Sequence, residues 1–166
     1  GIGTIAIKLA KALGCTVITT AGDDEKLEKA KTLGADHVIN YREERFESVV
    51  RKITKKKGVD VVFEHVGKDT WAGSMMVLRR GGRLVTCGST SGVSAETNLM
   101  MLFQRQLRLI GSFGCRKQNM IDAMDKMARG VAHPVIDTEI EFGDLATALG
   151  RMESRKVFGK IIMRMA

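Results

Sequence analysis

The sequence is poor in the residues that mark secreted, membrane or metal-binding proteins. It has a single proline, Pro134, and three widely separated cysteines, Cys15, Cys87 and Cys115, with no C-x-x-C pair. Such a set predicts reduced, core or near-core thiols in a cytoplasmic protein, because a disulfide framework or a zinc site would require paired spacings. No apolar run approaches the length of a membrane span, and no secretory leader is expected.

Basic residues are in excess, but their arrangement does not predict a nucleic-acid surface. The formal net charge is +8, and many cations alternate with acids along the predicted helices. The densest cluster, Arg51–Lys52 with Lys55–Lys57, ends a predicted helix, where cations suit the helix dipole. It has no interleaved aromatic residues on which bases could stack. We therefore expect a solvated helix end, and neither nucleic acid nor membrane as a partner.

The hydrophobic periodicity alternates between helix and strand along the chain. Helices are predicted at about 4–13, 23–33, 43–54, 68–79, 99–103, 117–129 and 143–150. Strands are predicted at 16–20, 37–40, 59–64, 83–88, 107–111, 136–141 and 159–163. The short connections predict an α/β fold, a doubly wound parallel sheet covered by helices on both faces. Met120, Met124 and Met127 recur at helical spacing, which is typical of core filler.

The chain opens on Gly1-Ile2-Gly3-Thr4 and continues at once into an amphipathic helix. This is the pattern of a glycine-rich phosphate loop from which the first half and the preceding strand are missing. In a βαβ nucleotide fold, such a loop directs free N–H groups of the helix start at a pyrophosphate. We therefore expect a nucleotide-binding domain at the end of a longer protein. Taken alone, the glycines fit a simple tight turn equally well.

The end of the first predicted strand favours a phosphorylated ribose. Residues 19–22 are neutral where NAD sites usually carry Asp or Glu, and Asp23 or Asp24 has the character of a helix N-cap. Lys26 in that helix and Tyr41 after the next strand are placed to reach a 2′-phosphate. Two alternatives remain open: Lys26 as the surface partner of Glu25 or Asp23, and Tyr41 as a half-buried amphipathic side chain.

Two later strands end in loops that fall where open α/β sheets bind ligands. Serine and threonine there can bond a carboxamide or a ribose, but they also form turns. His65 has no second ligand at metal-binding spacing and is expected to be a hydrogen-bonded wall residue. No nucleophile elbow is present, so no catalytic or metal-ligating residue is assigned. The loop residues are Val66, Gly67, Gly88, Ser89 and Thr90.

Four segments together resemble one family: Gly1–Ala6, Gly34–Tyr41, Gly81–Val85 and Gly159–Ile162. Over essentially its whole length the chain is similar to the cofactor-domain half of medium-chain dehydrogenases/reductases, the zinc-type alcohol dehydrogenases and quinone oxidoreductases. The resemblance implies a Rossmann fold that lacks its first strand and the N-terminal catalytic domain. It also implies hydride transfer between a nicotinamide cofactor and an alcohol or aldehyde, a quinone or an enoyl substrate.

The resemblance assigns roles to individual residues. The pyrophosphate turn is matched by Gly1, Ile2 and Gly3. The positions that meet the 2′-phosphate in NADP-using members are matched by Lys26, Tyr41 and Arg155, so NADP(H) is expected over NAD(H). The adenosine and nicotinamide contacts are matched by Val66, Gly67, Gly88, Ser89 and Thr90, and Lys160 lies in the matching closing segment and is assigned to the same site.

The resemblance also bears on domains and partners. Residues 1–134 correspond to the nucleotide-binding domain and 135–166 to a segment directed at the catalytic domain, which holds the family's zinc ligands and is absent from this sequence. Zinc is thus possible only in a longer protein. Family members form homodimers through the edge strand that Leu107–Gly111 resembles. Without the first strand, buried N–H groups would be left unpaired at about 1–3 kcal/mol each, so the chain alone is expected to be marginally stable or insoluble, and inactive.

The residues also bear on two alternative functions. A Rossmann-like methyltransferase would require an acidic residue at the end of the first predicted strand, where Thr20 and Ala21 stand. A nucleotide- or RNA-binding module without catalysis of its own is supported only by the net charge. Steep salt dependence of RNA binding would favour that second alternative.

Overall fold

The computed structural model describes residues 1–165 and shows helices and strands that alternate along the chain. Helices are α1 Ile2–Ala12, α2 Asp24–Thr32, α3 Phe46–Ile53, α4 Lys68–Met76, α5 Leu99–Gln104, α6 Lys117–Ala128 and α7 Leu145–Glu153. Strands are β1 Ile18–Ala21, β2 His37–Asn40, β3 Val59–Glu64, β4 Leu78–Thr86, β5 Arg108–Gly111, β6 Ile136–Glu141 and β7 Lys160–Arg164. A short 3-10 helix, Phe142–Asp144, precedes α7. The predicted α/β class is confirmed.

The chain forms two compact units. One consists of Gly1–Val38 together with the segment from Lys117 onward, and the other of Ile39–Arg116. The strands are paired as β1 with β2, as β3-β4-β5 and as β6 with β7. Pairing is parallel from β3 to β4, from β4 to β5 and from β6 to β7, as short βα connections predict.

The first unit has a small core between α1 and α2. Ile7, Ala30 and Ala35 are buried there. Asp36 connects the same elements, because its carboxylate accepts from the Val17 nitrogen at 2.7 Å and from Lys11 Nζ at 2.9 Å. These two hydrogen bonds, the backbone one first, lower the pKa of Asp36. The predicted Gly-Ala-Asp segment therefore joins the end of α1 to the approach to β2.

The second unit is built on the three-stranded parallel sheet. Leu84 lies on the central strand and is buried with Met75, Leu78 and Leu107, against α4 and α5. Leu84 is in register with Val62 on β3 and Leu109 on β5. The carboxyl ends of β3 and β4 thus stand side by side, which places the two predicted ligand loops next to each other.

The prediction for residues 68–83 was wrong at one boundary. Helix α4 ends at Met76, and β4 begins at Leu78 rather than after Gly81-Gly82. The cause is an early pairing: Val59 is in register with Leu78, and the register shifts before Val61 meets Arg83. Gly58 permits this approach, since a Cβ there would lie 2.7 Å from the Val77 oxygen.

Two predictions about burial were also wrong. All three cysteines are exposed rather than in or near the core. On α6, Met120 and Met124 are exposed by 53% and 60%, and no residue of that helix is buried. Helical spacing identifies a shared face but does not show whether another element covers it. Among the described residues, no helix is long and apolar enough to span a membrane.

Candidate cofactor-binding residues

The start of α1 is a helix terminus suited to an anion. Gly1 is the N-cap, no side chain caps the first turn, and that turn contains no acidic residue. Thr4 Oγ1 donates to the Gly1 oxygen at 2.9 Å, and Thr4 is buried. A Cβ on Gly3 would meet no atom of the chain within 4 Å. The backbone N–H groups of this turn and the positive end of the helix dipole are therefore accessible to a negatively charged group.

The segment before β7 lies against this helix start. The Gly1 nitrogen donates to the Gly159 oxygen at 2.9 Å. Gly159 has φ +125°, and a Cβ there would lie 2.4 Å from the Val135 oxygen, so only glycine fits. The exposed Lys160 follows Gly159 directly, as the first residue of β7. The structure thus brings Gly1 and Lys160 together and adds a cation to the helix terminus.

At the N-terminus of α2, Lys26 is the partner of Asp23, which was one of its two interpretations. Asp23 is the N-cap, as predicted, and its Oδ1 accepts from the Lys26 nitrogen at 2.9 Å. The Lys26 ammonium lies 3.4 Å from Asp23 Oδ2 and also donates to the Arg155 carbonyl oxygen. Lys26 is therefore a partner of Asp23, and it is also held beside the segment that carries Arg155.

Arg155 itself is exposed and sits in a left-handed backbone conformation at φ +57°. Its guanidinium has no hydrogen bond or ion pair within residues 1–165. Arginine is the side chain best suited to bidentate contact with phosphate. The first unit therefore presents Lys26 and Arg155 as two cations on neighbouring segments.

In the second unit, the loops after β3 and β4 are joined by hydrogen bonds. The Val66 oxygen accepts from the Ser91 nitrogen at 2.7 Å, from Ser91 Oγ at 2.9 Å and from Thr90 Oγ1 at 3.4 Å. The Lys68 nitrogen donates to the Gly92 oxygen at 3.3 Å. The predicted residues Val66 and Thr90 are thus in direct contact.

Two glycines permit this close approach. Gly67 has φ +99°, and a Cβ there would lie 2.7 Å from the Gly92 oxygen. A Cβ on Gly88 would lie 2.9 Å from the His65 oxygen. Ser89 lies between the loops' contact residues and is exposed. One surface at the carboxyl edge of the sheet therefore contains Val66, Gly88, Ser89 and Thr90, with the buried Gly67 packed against Ser89.

Below this surface is a buried carboxylate that the sequence analysis did not single out. Glu64, the last residue of β3, is 3% exposed. Burial raises its pKa, but four hydrogen bonds outweigh this and hold the pKa below its ordinary value. The donors are Ser74, the backbone nitrogens of Val66 and Gly67, and Thr70. A charged residue ending an apolar strand, with hydroxyls six and ten residues later, was the available signal.

Tyr41 and His65 complete the predicted set in this unit. Tyr41 follows β2 and is 44% exposed, so its ring is not sequestered in the core. His65 is half-buried, and its ring centroid lies 6.2 Å from that of Phe63 in a tilted arrangement. Within the described residues, no cluster of three or more His, Cys, Asp or Glu side chains could hold a metal ion.

The comparisons with known proteins identify the family. The family model for "Zinc-binding dehydrogenase" matches residues 1–129. A 2-haloacrylate reductase from a Burkholderia species is 33% identical over 98% of this chain and 52% of its own length. A quinone oxidoreductase from Salmonella typhimurium is 46% identical over 63% of this chain and 32% of its own length.

Solved structures of the same family resemble this chain in fold. The crystal structure of Escherichia coli quinone oxidoreductase complexed with NADPH superposes with a TM-score of 0.85 at 32% identity, covering 99% of this chain and 54% of that protein. The chain spans about half or less of the length of these relatives. The chain belongs to the zinc-binding dehydrogenases, a family within the medium-chain dehydrogenase/reductase superfamily, and corresponds to their C-terminal, cofactor-binding part.

Proposed function

We propose that this chain is the nicotinamide-dinucleotide-binding part of an oxidoreductase. The observation that carries the proposal is the start of α1: an uncapped, acid-free helix terminus with Lys160 beside it. A pyrophosphate is the ligand that such a terminus binds in Rossmann-type folds. The relatives named above are oxidoreductases, and one of them was crystallised with NADPH.

The residues present fit such a cofactor. Ile2 and Gly3 offer backbone N–H groups with open space in front of Gly3, and the Gly1 nitrogen donates to the Gly159 oxygen. The loop surface with Val66, Gly67, Gly88, Ser89 and Thr90 offers hydroxyls and backbone groups for the adenosine and nicotinamide moieties. The bound nicotinamide would supply the hydride donor or acceptor. This chain's own residues bind and orient it, and none of them is proposed to transfer a proton.

We further propose a preference for NADP(H). β1 ends at Ala21 without an acidic residue, and the Asp23 carboxylate is engaged as the cap of α2. In the first unit, Lys26 and Arg155 supply positive charge on neighbouring segments. These groups would favour a 2′-phosphate dianion over a free ribose hydroxyl pair.

The reaction of the whole protein is a proposal of the same kind. Hydride would pass between the nicotinamide and an alcohol or aldehyde, a quinone or an enoyl compound. Residues 1–134 would form the nucleotide-binding domain and 135–166 a segment directed at a catalytic domain that also shapes the substrate pocket. Any zinc of the protein would be held there, because the described residues offer no ligand cluster.

The charge reversal Lys26→Glu tests the cofactor proposal in the complete polypeptide that contains this chain. We expect the dissociation constant for NADPH to rise at least tenfold and that for NADH to change less than threefold, as about 1.4 kcal/mol corresponds to a factor of ten. Lys31→Glu is the matched control, since Lys31 lies on the same helix in an exposed pair with Glu28. Equal effects of the two variants, or tighter binding of NADH than NADPH by the unmodified protein, would refute the phosphate assignment.

A further inference from the structure

Glu64 is the last residue of β3, and its side chain connects that strand to the first turns of α4. Its Oε1 accepts from the Val66 nitrogen at 2.7 Å and the Gly67 nitrogen at 3.1 Å, and its Oε2 from Ser74 Oγ at 2.6 Å and Thr70 Oγ1 at 2.8 Å. Both oxygens are therefore fully used. We call these residues the Glu64 network: Glu64, Val66, Gly67, Thr70 and Ser74.

The network is not an ordinary ion pair or a core contact. Within residues 1–165, no cation pairs with Glu64. A buried carboxylate is costly unless donors satisfy it, and an apolar side chain at the same place would avoid that cost. What the carboxylate provides instead is direction, because its Oε1 accepts from the consecutive Val66 and Gly67 nitrogens and so fixes the orientation of both N–H groups.

Val66 links these hydrogen bonds of Glu64 to the proposed cofactor surface. When the Gly67 nitrogen points to Glu64, the Val66 carbonyl of the same planar trans peptide is directed the opposite way, to the neighbouring loop, where it accepts from Ser91 and Thr90. The Cys87 nitrogen donates to the Glu64 backbone oxygen at 3.2 Å, so the side chain and main chain of Glu64 both contribute to the arrangement. Val66 is thus held from both sides.

We propose that Glu64 is a positioning residue for cofactor binding, which sets the conformation of residues 65–67 and, through the Val66 carbonyl, of residues 88–92. This inference rests on the proposed function, since it concerns the same surface. Glu64 does not itself touch the cofactor. Its replacement acts on affinity for the nucleotide through loss of loop order.

The test compares two replacements of Glu64 in the complete polypeptide, one that removes the hydrogen-bond acceptor and one that keeps it. Glu64→Met is close in shape but accepts no hydrogen bond, whereas Glu64→Gln retains an acceptor for the Val66 and Gly67 nitrogens. We expect the dissociation constant for NADPH to rise at least tenfold in Glu64→Met and between about two- and fivefold in Glu64→Gln, because a neutral amide oxygen is a weaker acceptor than a carboxylate. Amide hydrogen exchange in residues 65–67 and 88–92 should accelerate in Glu64→Met.

Ser74→Ala is the control that separates positioning from stability. It removes the 2.6 Å hydrogen bond on the α4 side but leaves the Val66 and Gly67 bonds. We expect it to lower the melting temperature without changing NADPH affinity. If Ser74→Ala weakens NADPH binding as much as Glu64→Met or Glu64→Gln does, or if Glu64→Met leaves both affinity and exchange unchanged, the positioning role is refuted.

Failure of the proposed function can be told apart from failure of the positioning role of Glu64. If the unmodified protein binds neither NADPH nor NADH, that function fails, and with it the cofactor part of the inference. Exchange then decides the loop part: faster exchange at both segments in Glu64→Met upholds it, and equal protection overturns it. If Glu64→Met does not fold, the comparison of Glu64→Gln with Ser74→Ala decides: binding that is weaker in Glu64→Gln alone upholds the positioning role, and equal binding overturns it.

Discussion

Arg151 Nη2 donates to Asp137 Oδ2 at 2.7 Å, which joins α7 to β6 inside the first unit. The other oxygen of the same carboxylate accepts from the Phe158 nitrogen at 2.8 Å, ahead of β7. The Asp137 side chain is only 11% exposed. One carboxylate therefore holds together the three elements that carry Gly159 and Lys160 to the start of α1.

Removing this carboxylate should destabilise the protein. Asp137→Ala leaves a partly buried N–H and a guanidinium without their acceptor, and we expect the free energy of unfolding to fall by about 2–4 kcal/mol. Glu139→Ala is the matched control on the same strand, where Glu139 pairs with the exposed Arg164; its cost should stay below about 1 kcal/mol. Urea denaturation of the complete polypeptide measures both, and equal losses would contradict the account.

The same carboxylate predicts an acid dependence of stability. Burial raises the pKa of Asp137, but the bond from Phe158 and the Arg151 guanidinium outweigh it, and the pKa lies below its ordinary value. A carboxyl with a depressed folded-state pKa contributes stability above its unfolded pKa of about 4, and loses that contribution as the pH falls further.

Accordingly, the free energy of unfolding should decline between about pH 4 and pH 2 less steeply in Asp137→Asn than in the unmodified protein. Denaturant titrations at several pH values give both slopes. Asp144→Asn serves as a control, since Asp144 is exposed. An unchanged slope in Asp137→Asn would show that this carboxyl does not carry the dependence.

The edge strand β5 bears on the proposed homodimer. Among the described strands, β5 pairs only with β4, and Ile110 is 41% exposed. The Ser112 nitrogen donates inward to the Thr86 oxygen, so the alternation of a strand directs the Gly111 nitrogen outward. Pairing with a second copy through residues 107–111 would use that outward donor.

Gly111→Pro should therefore weaken the dimer, because proline has no N–H to donate. Gly111→Ala keeps the donor, and its Cβ would meet no atom within 4 Å, so it should leave the dimer intact. Sedimentation velocity of the complete polypeptide at several concentrations compares the two. A monomeric unmodified protein, or a Gly111→Pro variant that remains a dimer, would exclude this surface as the dimer contact.

The helices and strands were largely predictable because their signals are local. Asp23 caps α2 as its position before the periodic residues indicated, and Gly34 ends that helix at φ +104°. The early start of β4 was not predictable, because a Gly-Gly pair in sequence favours a turn, and the pairing of Leu78 with Val59 is a long-range contact. The exposure of Met120 was not predictable for the same reason, because burial of a helix face depends on which other elements pack against it.

The candidate site was predictable only in part. The resemblance to the family assigned roles to Gly1, Lys26 and Gly88, but nothing in the spacing showed that Lys160 lies beside Gly1 or that Arg155 lies beside Lys26. Glu64 was overlooked because an acid at a strand end commonly faces solvent, and its two hydroxyl donors, Thr70 and Ser74, become neighbours only when α4 packs back against β3. Roles of individual residues stay predictions until binding is measured.

The central claim is that the start of α1 binds the pyrophosphate of a nicotinamide dinucleotide, and Gly3→Ala tests it most directly. Alanine in a helix is about 0.5–1 kcal/mol more stabilising than glycine, and a Cβ on Gly3 meets nothing of the chain within 4 Å. Gly150→Ala, in α7 and equally open, is the control. By calorimetric titration of the complete polypeptide with NADPH, the account predicts unchanged affinity in Gly150→Ala and at least tenfold weaker binding in Gly3→Ala, with stability retained or raised in both. Equal affinity in the two variants, or no NADPH binding by the unmodified protein, would contradict it.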